Sequence, residues 1–137
     1  MLIKTELKEK ATSPEVMAKI LQDILSHENE VDRDKEHFWV IGLKTNNQIK
    51  YIELATLGIL DRSIIAPREV FRLAIMQGVK SIIIAHNHPS GSLVFSPDDN
   101  KTTKATKEAG EILDVTLLDH ILISKESYKS FKEENLL

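Results

Sequence analysis

The chain has 137 residues, with 18 basic and 21 acidic side chains, a formal charge of −3 and 42% hydrophobic residues. That is one domain by size with enough apolar material for a core, and the slightly acidic balance does not advertise a nucleic-acid binder, which usually shows a basic excess or stripe. Without cysteine it has neither disulfides nor thiolate chemistry, and no signal-peptide pattern or membrane-spanning run is present, so the default expectation is a cytoplasmic protein with no membrane partner.

Residues 1–13 are polar and read as a mobile arm, or as a strand that needs a partner. Ser13-Pro14-Glu15 supplies the N-cap, N1 and N2 of a helix. Val16, Met17, Ile20, Leu21, Ile24 and Leu25 recur at three- and four-residue steps, so one stripe of that helix packs inward. Residues 1–30 are therefore expected as an arm and helix packed on a domain spanning 31–137. From Ser26 to Glu36 the chain is mostly charged and polar, which reads as a solvated connection with His27 on the surface.

His37 to Leu43 is a strand by its aromatic and β-branched content, Thr45-Asn46-Asn47-Gln48 a hairpin turn, and Ile49 to Thr56 the returning strand. On strict alternation Ile49, Tyr51, Glu53 and Ala55 share one face. Glu53 in that apolar company is either an edge-strand glutamate facing water or a carboxylate kept for chemistry. Arg62 to Ala66 is expected as another strand. Pro67 opens a helix with a stripe of Val70, Phe71, Ala74 and Ile75, and Gly78 ends it.

The densest stretch is Ser81 to Asp99, SIIIAHNHPSGSLVFSPDD. A short apolar strand delivers His86 and His88, two residues apart and so facing one point, to the turn Pro89-Ser90-Gly91. A helix then begins at Ser96-Pro97 and carries Asp99 in its first turn. Two imidazoles and a carboxylate make a three-ligand zinc site with a position left for water. Ser96, Pro97 and Asp99 are equally well explained as N-cap, N1 and N3 of a capping box, and from the residues alone both readings stand. The helix runs from Pro97 to about Leu113. Val115 to Ser124 is a long apolar strand whose Asp119 and His120 point to opposite faces, supporting the site or the core rather than ligating. The order of elements predicts an α/β layered sandwich, a mixed β-sheet flanked by helices.

The spacing H-x-H-x7-S-x2-D from His86 to Asp99 resembles the JAMM motif of MPN+ metalloproteases, and His86-Asn87-His88-Pro89-Ser90-Gly91 resembles its form in bacterial RadC proteins. The likeness extends to Asp34-Lys35-Glu36-His37-Phe38, Pro67-Arg68-Glu69-Val70-Phe71, Leu118-Asp119-His120-Ile121-Leu122-Ile123 and Tyr128-Lys129-Ser130-Phe131, in family order over roughly residues 30 to 137. Such proteins usually carry an N-terminal helical region for which this length leaves no room, so a stand-alone RadC-like JAB domain is the expectation.

The resemblance implies a JAB/MPN fold of the cytidine-deaminase-like type and a zinc ion (Zn2+) held by His86, His88 and Asp99. It implies Glu53 as general base, Ser96 as oxyanion donor, and hydrolysis of a peptide or isopeptide bond in a peptide or protein substrate. Phe95 stands where relatives have proline, leaving Ser92-Leu93-Val94-Phe95 as an apolar lip for substrate or partner. Two other readings follow from the same resemblance. One is a DNA-repair-associated accessory protein, although the acidic balance argues against direct DNA binding. The other is a metal-stabilised interaction module without catalysis; an oligomer is compatible with any of the three.

Overall fold

A computed structural model describes residues 1–5, 7–11, 13–58 and 65–137. Six strands form one sheet: β1 (Leu2–Thr5), β2 (His37–Leu43), β3 (Ile49–Leu57), β4 (Ser81–Asn87), β5 (Thr116–Ile123) and β6 (Tyr128–Ser130), in the spatial order β1-β3-β2-β4-β5-β6. β4 and β5 run parallel and the other neighbours antiparallel, so the sheet is mixed, as the order of elements predicts. The parallel pair needs a crossover, and α4 (Pro97–Leu113) supplies it.

The other helices are α1 (Pro14–Ser26), α2 (Glu30–Arg33) and α3 (Pro67–Gln77). Apolar residues lie on both sides of the sheet. On one, Met17, Leu21, Ile24 and Leu25 of α1 pack against Trp39, Ile41, Ile83, Ile121 and their neighbours. On the other, Val70, Phe71 and Ala74 of α3 pack against Val40, Tyr51, Ile82 and Ile84. The result is helix, sheet, helix in three layers. Among the described residues no helix is long and apolar enough to cross a membrane.

Most local expectations hold because they rest on local chemistry. Ser13 caps α1 by accepting from Val16 N at 3.2 Å, and Gly78 ends α3 at φ +67. His27 is exposed. The first residues prove to be a strand with a partner, since β1 pairs with β3 and joins the same sheet.

Four expectations differ. Ile75 is mostly exposed rather than part of the buried stripe of α3. The connection from Ser26 to Glu36 contains the single turn α2, capped by Asn29 accepting from Asp32 N at 2.8 Å. Alternation along β3 is broken: Ile49 joins the α1 side of the core while Tyr51 and Ala55 join the α3 side. The cause is a bulge, because Leu43 pairs with Ile49 while its neighbour Gly42 pairs with Tyr51, leaving Lys50 as the extra residue. Of the strand expected over Arg62 to Ala66, residues 62–64 lie outside the described residues, and Ile65 and Ala66 are not in a strand.

Candidate metal centre

The end of β4 meets the start of α4 on the α3 side of the sheet. His86 is still within β4 and buried, and His88 lies just past the strand end. Ser96 and Asp99 form the full capping box of α4: Asp99 N donates to Ser96 Oγ at 3.1 Å and Ser96 N donates to Asp99 Oδ2 at 2.8 Å. The cap therefore anchors the Asp99 carboxylate where it faces the two imidazoles. His86 Nε2 lies 3.2 Å from His88 Nε2 and 2.9 Å from Asp99 Oδ1, and His88 Nε2 lies 3.0 Å from Asp99 Oδ2. Ligand-type atoms of these three residues all fall within 4.8 Å of one another.

Behind this cluster a buried chain of hydrogen bonds fixes the tautomers. Thr103 Oγ1 donates to the carbonyl of Asp99 at 2.9 Å, so towards His120 Nδ1, 2.6 Å away, it can only accept. His120 therefore carries its proton on Nδ1, and its bare Nε2, 2.8 Å from His86 Nδ1, accepts from it. His86 Nε2 is then left as a lone pair aimed at a carboxylate oxygen and at a second imidazole. Two lone-pair atoms at hydrogen-bonding distance repel unless a cation lies among them. The donor set, two imidazole nitrogens and a carboxylate, is one that zinc favours. Burial holds His120 neutral, well below the ordinary histidine range. The ring is clamped by Phe131, stacked on it at 4.8 Å, and Phe131 in turn meets Phe95 of the β4–α4 loop at 3.9 Å.

The charges respond as a tight pair would. Burial on its own would raise the Asp99 carboxyl, but the His86 and His88 imidazoles beside it outweigh that effect and hold the group well below the usual range. The bond to Asp99 pushes His88 upward against the effect of burial, and the charge of Glu36 adds in the same direction.

The centre opens into a cleft of about 700 Å3 whose walls include Glu36, Phe38, Thr56, Ile65, Phe95 and Asp98. Glu53 is not among its lining residues. It pairs across the sheet with Val40, which pairs with Ile84, whereas His86 sits level with Phe38 and Thr56, further along the strands. Its Oε1 is buried without a hydrogen-bond partner and its Oε2 lies 3.7 Å from Arg72 Nη2 under α3. The structure thus brings His86, His88, Ser96 and Asp99 together and leaves Glu53 apart. Glu36, which belongs to the charged run that reads as a solvated connection, lies with Asp98 on the cleft wall. The sequence offers one signal, that Glu36 immediately precedes an apolar strand; that this strand pairs with the one carrying His86 is decided across the sheet.

Comparison with known proteins accords with this fold. The profile of the family described as RadC-like JAB domain matches residues 11–136. The chain belongs to that family. A UPF0758 protein of Chlorobium chlorochromatii is 43% identical over 106 residues, covering 77% of this chain and 48% of the relative. One from Chlorobium phaeovibrioides is 44% identical over the same length, and one from Listeria monocytogenes serotype 4b is 48% identical over 100 residues, 73% of this chain and 45% of the relative. The chain therefore spans about half the length of these relatives of the RadC-like JAB domain.

Proposed function

We propose that this RadC-like JAB domain is a zinc-dependent hydrolase that cleaves a peptide or isopeptide bond. The observation that carries the reading is the convergence of His86, His88 and Asp99 at the head of a cleft with a further carboxylate, Glu36, on its wall. His86, His88 and Asp99 would hold the metal, which when bound lowers the pKa of water toward neutrality and polarises a carbonyl.

The remaining work falls to the chain's own residues. Glu36 takes a proton from the attacking water at a carboxylate oxygen and passes it to the leaving nitrogen. Ser96 Oγ spends a lone pair on the Asp99 amide, so its hydroxyl hydrogen is free to donate to the oxygen of the attacked carbonyl. Thr103 and His120 keep His86 in the tautomer that presents Nε2. The charged residues lining the cleft are Glu36, Asp98 and Asp99, with no lysine or arginine among the described lining residues. Such a wall repels a polyanion and accepts a neutral or cationic chain, which favours a peptide over a nucleic acid.

The test compares Glu36→Gln with Glu53→Gln for zinc content and for turnover of a mixture of internally quenched peptides. Glu36→Gln should keep about one zinc per chain and lose roughly 10²–10⁴-fold in rate, the contribution of a positioned base. Glu53→Gln should retain wild-type turnover. Wild-type turnover in Glu36→Gln overturns the assignment.

A further inference from the structure

The residue between the two histidines, Asn87, is buried and does not face the cleft. Its carboxamide reaches back across the sheet to the segment that precedes β2. Asn87 Oδ1 accepts from His37 N at 2.6 Å, and Asn87 Nδ2 donates to the carbonyl of Lys35 at 3.2 Å. Lys35 and His37 flank Glu36, so one side chain grips the backbone on both sides of that residue. The grip is reinforced twice. His37 Nδ1 donates to the same Lys35 carbonyl at 2.7 Å, and the Glu36 carbonyl accepts from Gly58 N at 2.8 Å. The far side of the His37 ring is anchored on the partly exposed carboxylate of Glu28.

We propose that Asn87 is a positioning residue for Glu36, a two-pronged clip that fixes the Glu36 carboxylate beside the metal ligands carried on the same strand. This rests on the reading of Glu36 as base. The physical case is that Glu36 lies outside any regular element, immediately before β2, and its carboxylate must be held to a fraction of an ångström. A carboxamide supplies one acceptor and one donor in a fixed plane, which matches the outward N–H of one flanking residue and the C=O of the other. Because β4 carries Asn87 between His86 and His88, the same rigid strand sets the positions of the metal and of the base. A side chain acting only as a strut would stabilise the fold without coupling to Glu36.

The test needs no substrate. The carboxyl 13C resonance of Glu36 is followed as zinc is added to wild type, Asn87→Ala and Asn87→Ser, with the ring signals of His88 as the control for metal binding. In wild type both should respond. In the variants His88 should still respond and Glu36 should not. A Glu36 response in either variant equal to that of wild type overturns the clip. No Glu36 response in wild type overturns the reading of Glu36 itself, a different failure.

Should neither variant fold, hydrogen exchange of the His37 amide in wild type decides. Protection well beyond that of an open loop that rises further when zinc is added supports the clip, and loop-like exchange or protection indifferent to zinc overturns it. On the peptide mixture, Asn87→Ser should lower kcat with KM near wild type, and Glu36→Gln should add no further loss. Losses that multiply independently overturn the proposal.

Discussion

Glu53 is a carboxylate sealed within the sheet, 4% exposed, whose nearest countercharge, Arg72, is itself mostly in water. Burial raises its pKa, and the opposing pull of the N-terminus and Arg72 does not cancel that effect. For a carboxyl raised in the folded state, the native protein holds the proton more tightly than the unfolded chain. Its contribution to stability is thus present below the unfolded value and is lost as pH rises through the folded one. Glu53→Gln, which keeps the shape and removes the charge, should melt above wild type at pH 7.5, and the gap should close at pH 4. Thermal melts at the two pH values check this, and a wild type that gains on the variant with rising pH refutes it. At this scale the sequence told that Glu53 was unusual without telling why. Apolar company marked the burial, but only the register across β2 and β4 shows that it stops short of the candidate metal centre. Glu36 was hidden for the opposite reason: a charged run reads as solvated unless one knows what the next strand pairs with.

Elements were legible where their ends are written in local chemistry. α4 begins at Pro97 because Ser96 and Asp99 cap each other's backbone, and the same atoms hold the carboxylate of the candidate metal centre. The two uses can be separated. Ser96→Ala should cost about 1 kcal/mol in the metal-free protein, the usual loss for a serine cap, because the capping bond to Asp99 N needs no metal. Urea unfolding of metal-free wild type and variant measures it, and coincident transitions remove the capping role. Elements were illegible where the decision is made across the sheet. The bulge at Lys50 accommodates Tyr51, whose ring lies over Gly42 so closely that a Cβ there would collide with Tyr51 Cε2. Nothing in the alternation of residues 49 to 56 announces that contact. The three-residue strand β6 escapes pattern reading for want of length, although its Ser130 hydroxyl, buried against Asp119, helps tie the last turn of the chain to β5.

For the molecule as a whole, the candidate centre joins pieces drawn from separate layers. His86 and His88 come from the sheet and Asp99 from the helical layer, while His120 behind them belongs to β5 and is covered by Phe131 from the C-terminal turn. The layered sandwich and the convergence of His86, His88 and Asp99 were both readable in advance, because a parallel pair demands a crossover helix and the motif falls at its entrance. The support from Phe131 and Thr103 was not, since it depends on which side of β5 faces α4. A cation bound by groups drawn from separate layers stabilises only the state in which the layers are assembled, so metal binding and global stability should be linked. Free zinc at about 100 times its Kd adds about 2.7 kcal/mol to the stability of a one-site protein, and for a chain of this size that corresponds to a rise of roughly 10 °C in Tm. The shift should be reversed by a chelator and absent in the His86→Ala/His88→Ala double variant, whose own melt should be insensitive to zinc. An equal shift in the double variant would mean that zinc binds elsewhere on the fold. A wild type indifferent to zinc would mean that the three side chains converge for some purpose other than holding a metal.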